Sequence, residues 1–159
     1  MTIDADDFRS VLGRFASGIT VVTTVDDAGR DVGMTVSAFS AVSLVPTLVM
    51  ICIGHEASAY DALMRADRFG VNILSAEQEA LSRRFSAVDS THRFDGVGYE
   101  RGESGVVLLS DALGHLECRV LARHEAGDHT VFVGEVERAT AGEGRPLLYY
   151  RGGYAQLER

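Results

Sequence analysis

The feature that most constrains the fold is a series of short apolar or β-branched runs, each of strand length, separated by turn residues. Strands are predicted over residues 19–25, 32–40, 48–53, 69–74, 115–124, 130–139 and 146–150. Helices are predicted over residues 4–16, 58–66 and 76–85. Because strands and helices do not alternate regularly, the pattern favours an antiparallel barrel with flanking helices over a doubly wound sheet.

The 159-residue chain is predicted to form one domain over residues 1–159. Asp4 is the expected N-cap of the first helix, and Ser58 that of the second, with Asp61 three residues later. The apolar run at residues 48–53 predicts a strand buried on both faces. Residues 86–105 are polar and contain glycine, so they predict a long functional excursion.

The charged residues exclude several classes of function. The net charge of −8 opposes binding to nucleic acid or an anionic membrane. All 15 basic residues are arginine, since the chain has no lysine. A lysine Schiff base and a Walker-type lysine are therefore excluded, and any phosphate must be held by arginine, hydroxyl or backbone N–H groups.

The familiar short motifs are missing. The sequence has no GxGxxG, GxxxxGK[ST], GxSxG or HExxH pattern. Cys52 and Cys118 have no zinc-type spacing, so we predict two buried thiols and no metal site. The acidic start and the lack of a long apolar run predict a cytoplasmic protein without a membrane segment.

Residues 33–40 place hydroxyl groups on a predicted strand. Thr35, Ser37 and Phe39 would share one face of it. Buried hydroxyls need partners, which a ring rich in carbonyls and nitrogens would supply, whereas an edge strand would leave them solvated. Both interpretations stay open. The start of the Ser58 helix is likewise either a phosphate-binding site or an ordinary capped helix N-terminus.

Several segments, in this order, resemble the flavin reductase family with the FMN-binding split-barrel fold, which supplies the reductase components of two-component flavin monooxygenases. They are FASGITVVT (15–23), GMTVSAFSAVSLVP (33–46), ICI (51–53), FGVNIL (69–74), RFS (84–86), GDH (127–129), GEV (134–136) and PLLYYRG (146–152). The chain departs from the family pattern at Ala41, where the family often has a second small or polar residue. The resemblance implies a mainly β, antiparallel, Greek-key-like split barrel.

The resemblance also implies residue roles. Expected flavin contacts are Thr35, Val36, Ser37, Ala38, Cys52, Ile53, Ser58, Asn72, Arg84, Phe85 and Tyr154. Among them, Ser58 and Arg84 would hold the phosphate, and Tyr154 would close the site. His129 would be the catalytic residue at the point where the nicotinamide docks, although a histidine on a strand is commonly a plain surface residue.

The expected activity is hydride transfer from NADH or NADPH to FMN or FAD, with a homodimer as the assembly and a separate flavin-dependent monooxygenase as the partner. Two alternatives remain: a split-barrel oxidase that keeps FMN as a prosthetic group, and a flavin-binding redox or storage protein without reductase turnover. A nucleic-acid-binding barrel is disfavoured by the charge.

Overall fold

The computed structural model describes residues 1–87 and 89–158. The helices of that part of the chain are α1 (Ala5–Leu12), α2 (Tyr60–Arg65) and α3 (Glu79–Phe85), with a 3₁₀ turn at Ala76–Gln78 before α3. Its strands are β1 (Ser17–Gly18), β2 (Thr20–Val25), β3 (Asp31–Val36), β4 (Phe39–Leu44), β5 (Thr47–Gly54), β6 (Arg68–Ile73), β7 (Tyr99–Arg101), β8 (Val107–Leu109), β9 (Gly114–Ala126), β10 (His129–Ala141), β11 (Leu147–Tyr150) and β12 (Gly153–Gln156). None of the described helices has the length and apolarity that a membrane crossing requires.

Seven strands form one antiparallel sheet in the order β3-β2-β6-β9-β10-β5-β4. Its edges, β3 and β4, are separated along the chain only by Ser37 and Ala38, so the sheet curls back on itself. The Cys52 N–H on β5 donates to the Ala38 carbonyl at 3.0 Å, although β3 and β4 share no ladder. The result is a barrel open between its edge strands, which confirms the predicted split barrel.

The core has two apolar layers, which β2 separates. Val22 packs inside the barrel against a cluster that includes Phe69 and Phe132. Val21 points the other way, into a cluster that also contains Phe85 of α3 and residues of β8 and β11. The outer layer therefore fixes α3 on the barrel wall.

The prediction that residues 48–53 are buried on both faces is wrong. Val49, Ile51 and Ile53 are buried, but the intervening residues of β5 are only half-buried. An apolar run does not reveal whether a second layer covers its outer face. For the same reason, the expectation of two buried thiols holds for Cys118 but not for Cys52, which is half-buried.

The strand predicted over residues 32–40 is two strands in the structure. Thr35 lies on β3, Ser37 lies in the connection, and Phe39 begins β4. The three side chains therefore do not share one strand face. The break occurs because the chain leaves the β2 ladder there and joins β5, which closes the barrel.

The excursion after α3 is anchored by aromatic packing. The Phe94 ring meets Phe85 edge-on, with centroids 5.0 Å apart. Both rings lie against Gly33, where a Cβ would come within 2.9 Å of each. The predicted loop over residues 86–105 also ends early, because β7 and β8 form a hairpin.

We expect Gly134→Ala to lower the free energy of unfolding by about 1–3 kcal/mol, because the added methyl overpacks the core. A Cβ at Gly134 would lie 2.6 Å from Cζ of Phe69 and 3.0 Å from Cβ of Cys118. Urea denaturation followed by circular dichroism measures the loss. Gly18→Ala is the matched control, since a Cβ there meets nothing within 4 Å. Equal stability of G134A and the parent would contradict this packing.

Candidate active site

The first part of the site is the corner where β3, β4 and β5 meet. Ser37 and Ala38 are exposed there, and Cys52 is half-buried beside them. Val36 and Ile53 point into the barrel core, so only their backbone atoms can face a ligand. The structure thus brings five of the expected flavin contacts to one corner, but two of them without their side chains.

His129 lies at the adjoining end of β10. It stands opposite Gly54 in the ladder with β5, about 7 Å along the strand from Cys52. Its Nδ1 lies 2.7 Å from the Asp128 carboxylate. This hydrogen bond, together with attraction to the imidazole, lowers the pKa of Asp128. Asp128 therefore fixes the orientation of a half-exposed ring beside the corner.

A polar network around buried Thr130 borders His129 and was missed by sequence reasoning. The Thr130 hydroxyl lies 3.2 Å from both His55 Nε2 and the Tyr60 hydroxyl. The Glu125 carboxylate lies 3.4 Å from the same His55 nitrogen. No motif marks these residues, because strand pairing and the start of α2 bring them together. The network holds the β5–α2 connection in place.

Thr35 and Tyr154 are joined through Ser82 of α3. The Thr35 hydroxyl donates to the Ser82 carbonyl at 2.6 Å, and the Ser82 hydroxyl lies 2.8 Å from the Tyr154 hydroxyl. The Arg83 guanidinium lies over the Tyr154 ring, 4.8 Å from its centroid. Because its proton is used within the protein, the Thr35 hydroxyl has only acceptor capacity left for a ligand.

Ser58 does not cap a helix, contrary to the sequence-based expectation. α2 begins at Tyr60, and Ala59 is its cap residue without a side-chain hydrogen bond. The Ser58 hydroxyl instead accepts a hydrogen bond of 2.8 Å from Nη1 of Arg93. Arg93 also donates to the backbone carbonyl of Gly33, at 2.9 Å, and to that of Ala87.

The guanidinium at Ser58 thus comes from Arg93, which sequence reasoning missed, and not from Arg84. Arg84 is exposed and lines a different recess of about 320 Å³. Burial lowers the pKa of Arg93, which is only 5% exposed, and its Nε has no hydrogen-bond partner. The one sequence signal for Arg93 is its position directly before Phe94, an apolar residue in a polar segment that packs on Phe85.

Two other expected flavin contacts belong to the core. Asn72 is fully buried, its Nδ2 donates to the Val21 carbonyl at 3.0 Å, and its Oδ1 accepts from the Leu109 N–H at 2.7 Å. Phe85 is fully buried as well. Since the Asn72 amide on β6 bonds to two other strands, β2 and β8, its position favours a structural role over a ligand contact.

The arrangement fits a molecule with a flat ring at one end and an anion at the other. The corner at Ala38 offers backbone groups, whereas Ser58 offers a hydroxyl backed by a buried cation with an unsatisfied N–H. About 13 Å of β3 separates Gly33 from Ser37, a span that a ring with a ribityl phosphate tail can cover. No cluster of metal-ligating side chains occurs among the described residues.

Fold and site together define a split-barrel protein with a place for a phosphate-bearing heterocycle. The chain belongs to the flavin reductase-like domain family, whose model matches residues 12–158. The family resemblance seen in the sequence is thereby confirmed.

Named relatives cover nearly the whole chain. It is 40% identical to the FMN reductase (NADH) SmoA of Agrobacterium fabrum, over 96% of this chain and 86% of the relative. It is 38% identical to the reductase component of the 4-nitrophenol 4-monooxygenase/4-nitrocatechol 2-monooxygenase of Rhodococcus opacus. That match covers 98% of this chain and 82% of the relative. Among solved structures, the chain superposes with a TM-score of 0.91 on the Streptomyces globisporus NADH:FAD oxidoreductase SgcE6 in complex with NAD and FAD fragments. The two are 37% identical, and the match covers 99% of this chain and 97% of that one.

Bound FMN should protect Cys52 from alkylation, because the ring expected at the Ala38 corner would cover its sulfur. Burial raises the pKa of Cys52 and so lowers its thiolate fraction at neutral pH, which makes an alkaline pH the better condition for labelling. We expect saturating FMN to slow iodoacetamide labelling at pH 8.5 roughly tenfold, as measured by peptide mass spectrometry. Cys118 is the internal control, since burial raises its pKa to about 12. Equal Cys52 rates with and without FMN would place the ring elsewhere.

Proposed function

We propose that this protein is an NAD(P)H-dependent flavin reductase that passes a hydride to FMN or FAD and supplies the reduced flavin to a separate monooxygenase. The observation that carries the proposal is the placement of His129 beside the corner formed by Ala38 and Cys52. Membership in the family supports it, as do relatives named as NADH-dependent reductases and as monooxygenase reductase components.

In this site the flavin supplies the ring that accepts the hydride from the nicotinamide. The exposed backbone at Ser37 and Ala38 binds and orients the ring edge. The exposed Ser58 hydroxyl binds the phosphate. His129, fixed by Asp128, positions the nicotinamide against the ring, because hydride transfer requires near-contact geometry.

We also propose that the protein is a homodimer. No residue of α1 is buried, and Phe8, Val11 and Leu12 are 54%, 66% and 49% exposed, with Phe15 just beyond at 80%. An eight-residue helix is marginal in water without packing. Contiguous apolar patches of this kind mark interaction surfaces. A second copy of this chain, packed on the α1 face, would cover them.

Replacing His129 with alanine should lower kcat for NADH oxidation roughly 10- to 100-fold, because the nicotinamide loses its positioning group. The dissociation constant for FMN, from quenching of flavin fluorescence, should stay close to the parent value. His124→Ala is the control, since His124 lies exposed on β9. A matching loss of FMN affinity in H129A would assign His129 to flavin binding.

Sedimentation velocity should show a dimer that Val11→Glu weakens at least about tenfold in dissociation constant, because the substitution buries an unpaired charge. Ser10→Glu adds the same charge to the neighbouring position, where Arg14 already contacts Ser10. It should leave the dimer intact. A monomeric parent, or equal effects of both variants, would contradict the proposed surface.

A further inference from the structure

Arg93 is an unusually buried cation. Its guanidinium bonds to two backbone carbonyls and to the Ser58 hydroxyl, all of them neutral groups. None of the ion pairs among the described residues includes it. Burying a charge without a counter-ion is costly, and its Nε also lacks a partner. The described residues therefore give Arg93 hydrogen-bond acceptors, none of which is anionic.

A purely structural role explains only part of this geometry. The bonds to the Gly33 and Ala87 carbonyls tie the excursion after α3 to β3. Phe94 already anchors the same segment through Phe85. Neither contact accounts for the bond to Ser58 or for a cation without a counter-ion.

The bond to Ser58 determines what its hydroxyl can do. A serine hydroxyl has one proton and two lone pairs. Because the oxygen accepts from Arg93, its own proton remains available to donate, and a charged donor strengthens that tendency. Ser58 is exposed on a cleft of about 720 Å³, so the proton can be offered to a ligand there.

Most of the charges around the cleft are paired with one another, and Arg93 and Asp61 stay outside these ion pairs. Four aspartates line the cleft wall, and three of them are neutralised in the pairs Asp26–Arg30, Asp27–Arg65 and Asp31–Arg101. The fourth, Asp61, is exposed on α2. Asp89 attracts Arg93, but its carboxylate accepts hydrogen bonds from Thr91.

Resting on the proposed flavin reductase function, we propose that Arg93 acts through Ser58 as the positioning residue for the flavin phosphate, and so makes the site prefer FMN and FAD over riboflavin. The buried guanidinium directs the Ser58 proton into the cleft and supplies the charge behind it. Riboflavin, which lacks the phosphate, gains nothing from either group.

The test compares FMN and riboflavin binding by fluorescence titration of the full-length parent with that of R93Q, S58A, S58T and the double variant R93Q/S58A. We expect R93Q and S58A each to weaken FMN binding at least about tenfold and to leave riboflavin binding unchanged. S58T keeps the hydroxyl and should bind FMN with an affinity close to that of the parent. The double variant should be no weaker than R93Q, because the two residues act as one unit.

Equal losses for FMN and riboflavin in R93Q would overturn the inference, since they would show that Arg93 only holds the loop. Unchanged FMN affinity in R93Q would overturn it as well. If thermal denaturation shows that R93Q does not fold, Arg93→Lys takes its place, because it keeps the charge but not the guanidinium geometry that holds Ser58. Selective loss of FMN affinity in R93K then supports the inference, and parent-like FMN affinity overturns it.

The outcomes of this test distinguish a failure of the proposed function from a failure of the role of Arg93. A parent that binds neither flavin overturns both proposals. A parent that binds and reduces both flavins with equal affinity overturns the role of Arg93 and leaves the reductase function standing.

Discussion

The rest of the structure depends on the ladder between β9 and β10. These thirteen-residue strands pair along almost their full length and join β6 on one side to β5 on the other. The register shifts at Val133/Gly134 and at Val136/Arg138, and such bulges increase local twist and help a sheet to close. The same ladder delivers His129 to the end of β10, opposite Gly54, so the pairing that builds the barrel also places the candidate catalytic residue.

Most strands could be predicted because their apolar runs end at clear turn residues, as β9 and β10 do around Gly127. The barrel corner could not. No proline or clear turn signal interrupts residues 32–40, and it is the three-dimensional closure of the sheet that makes the chain break at Ser37 and Ala38. β12 was missed because it is a short strand that follows directly on a tight turn at Arg151, with φ of 51°. Local pattern specifies strand type well and says little about which faces are covered.

The candidate site was predicted in part. The resemblance drew attention to Ser37, Ala38, Cys52 and His129, and the fold brings them to one barrel edge. It did not draw attention to Arg93, which lies 35 positions from Ser58 and 60 from Gly33. No spacing rule links residues so far apart, and a single arginine in a polar loop looks like a solvated one. Only burial distinguishes Arg93 from the exposed Arg84.

Free reduced flavin that meets dioxygen yields hydrogen peroxide, an oxidant that attacks thiolates far faster than thiols. Burial keeps both sulfurs of this chain, Cys52 and Cys118, protonated at neutral pH. Sulfenic acid formation is therefore slow at either position. The raised pKa values of Cys52 and Cys118 therefore make both thiols poor targets for the peroxide that free reduced flavin would generate beside them.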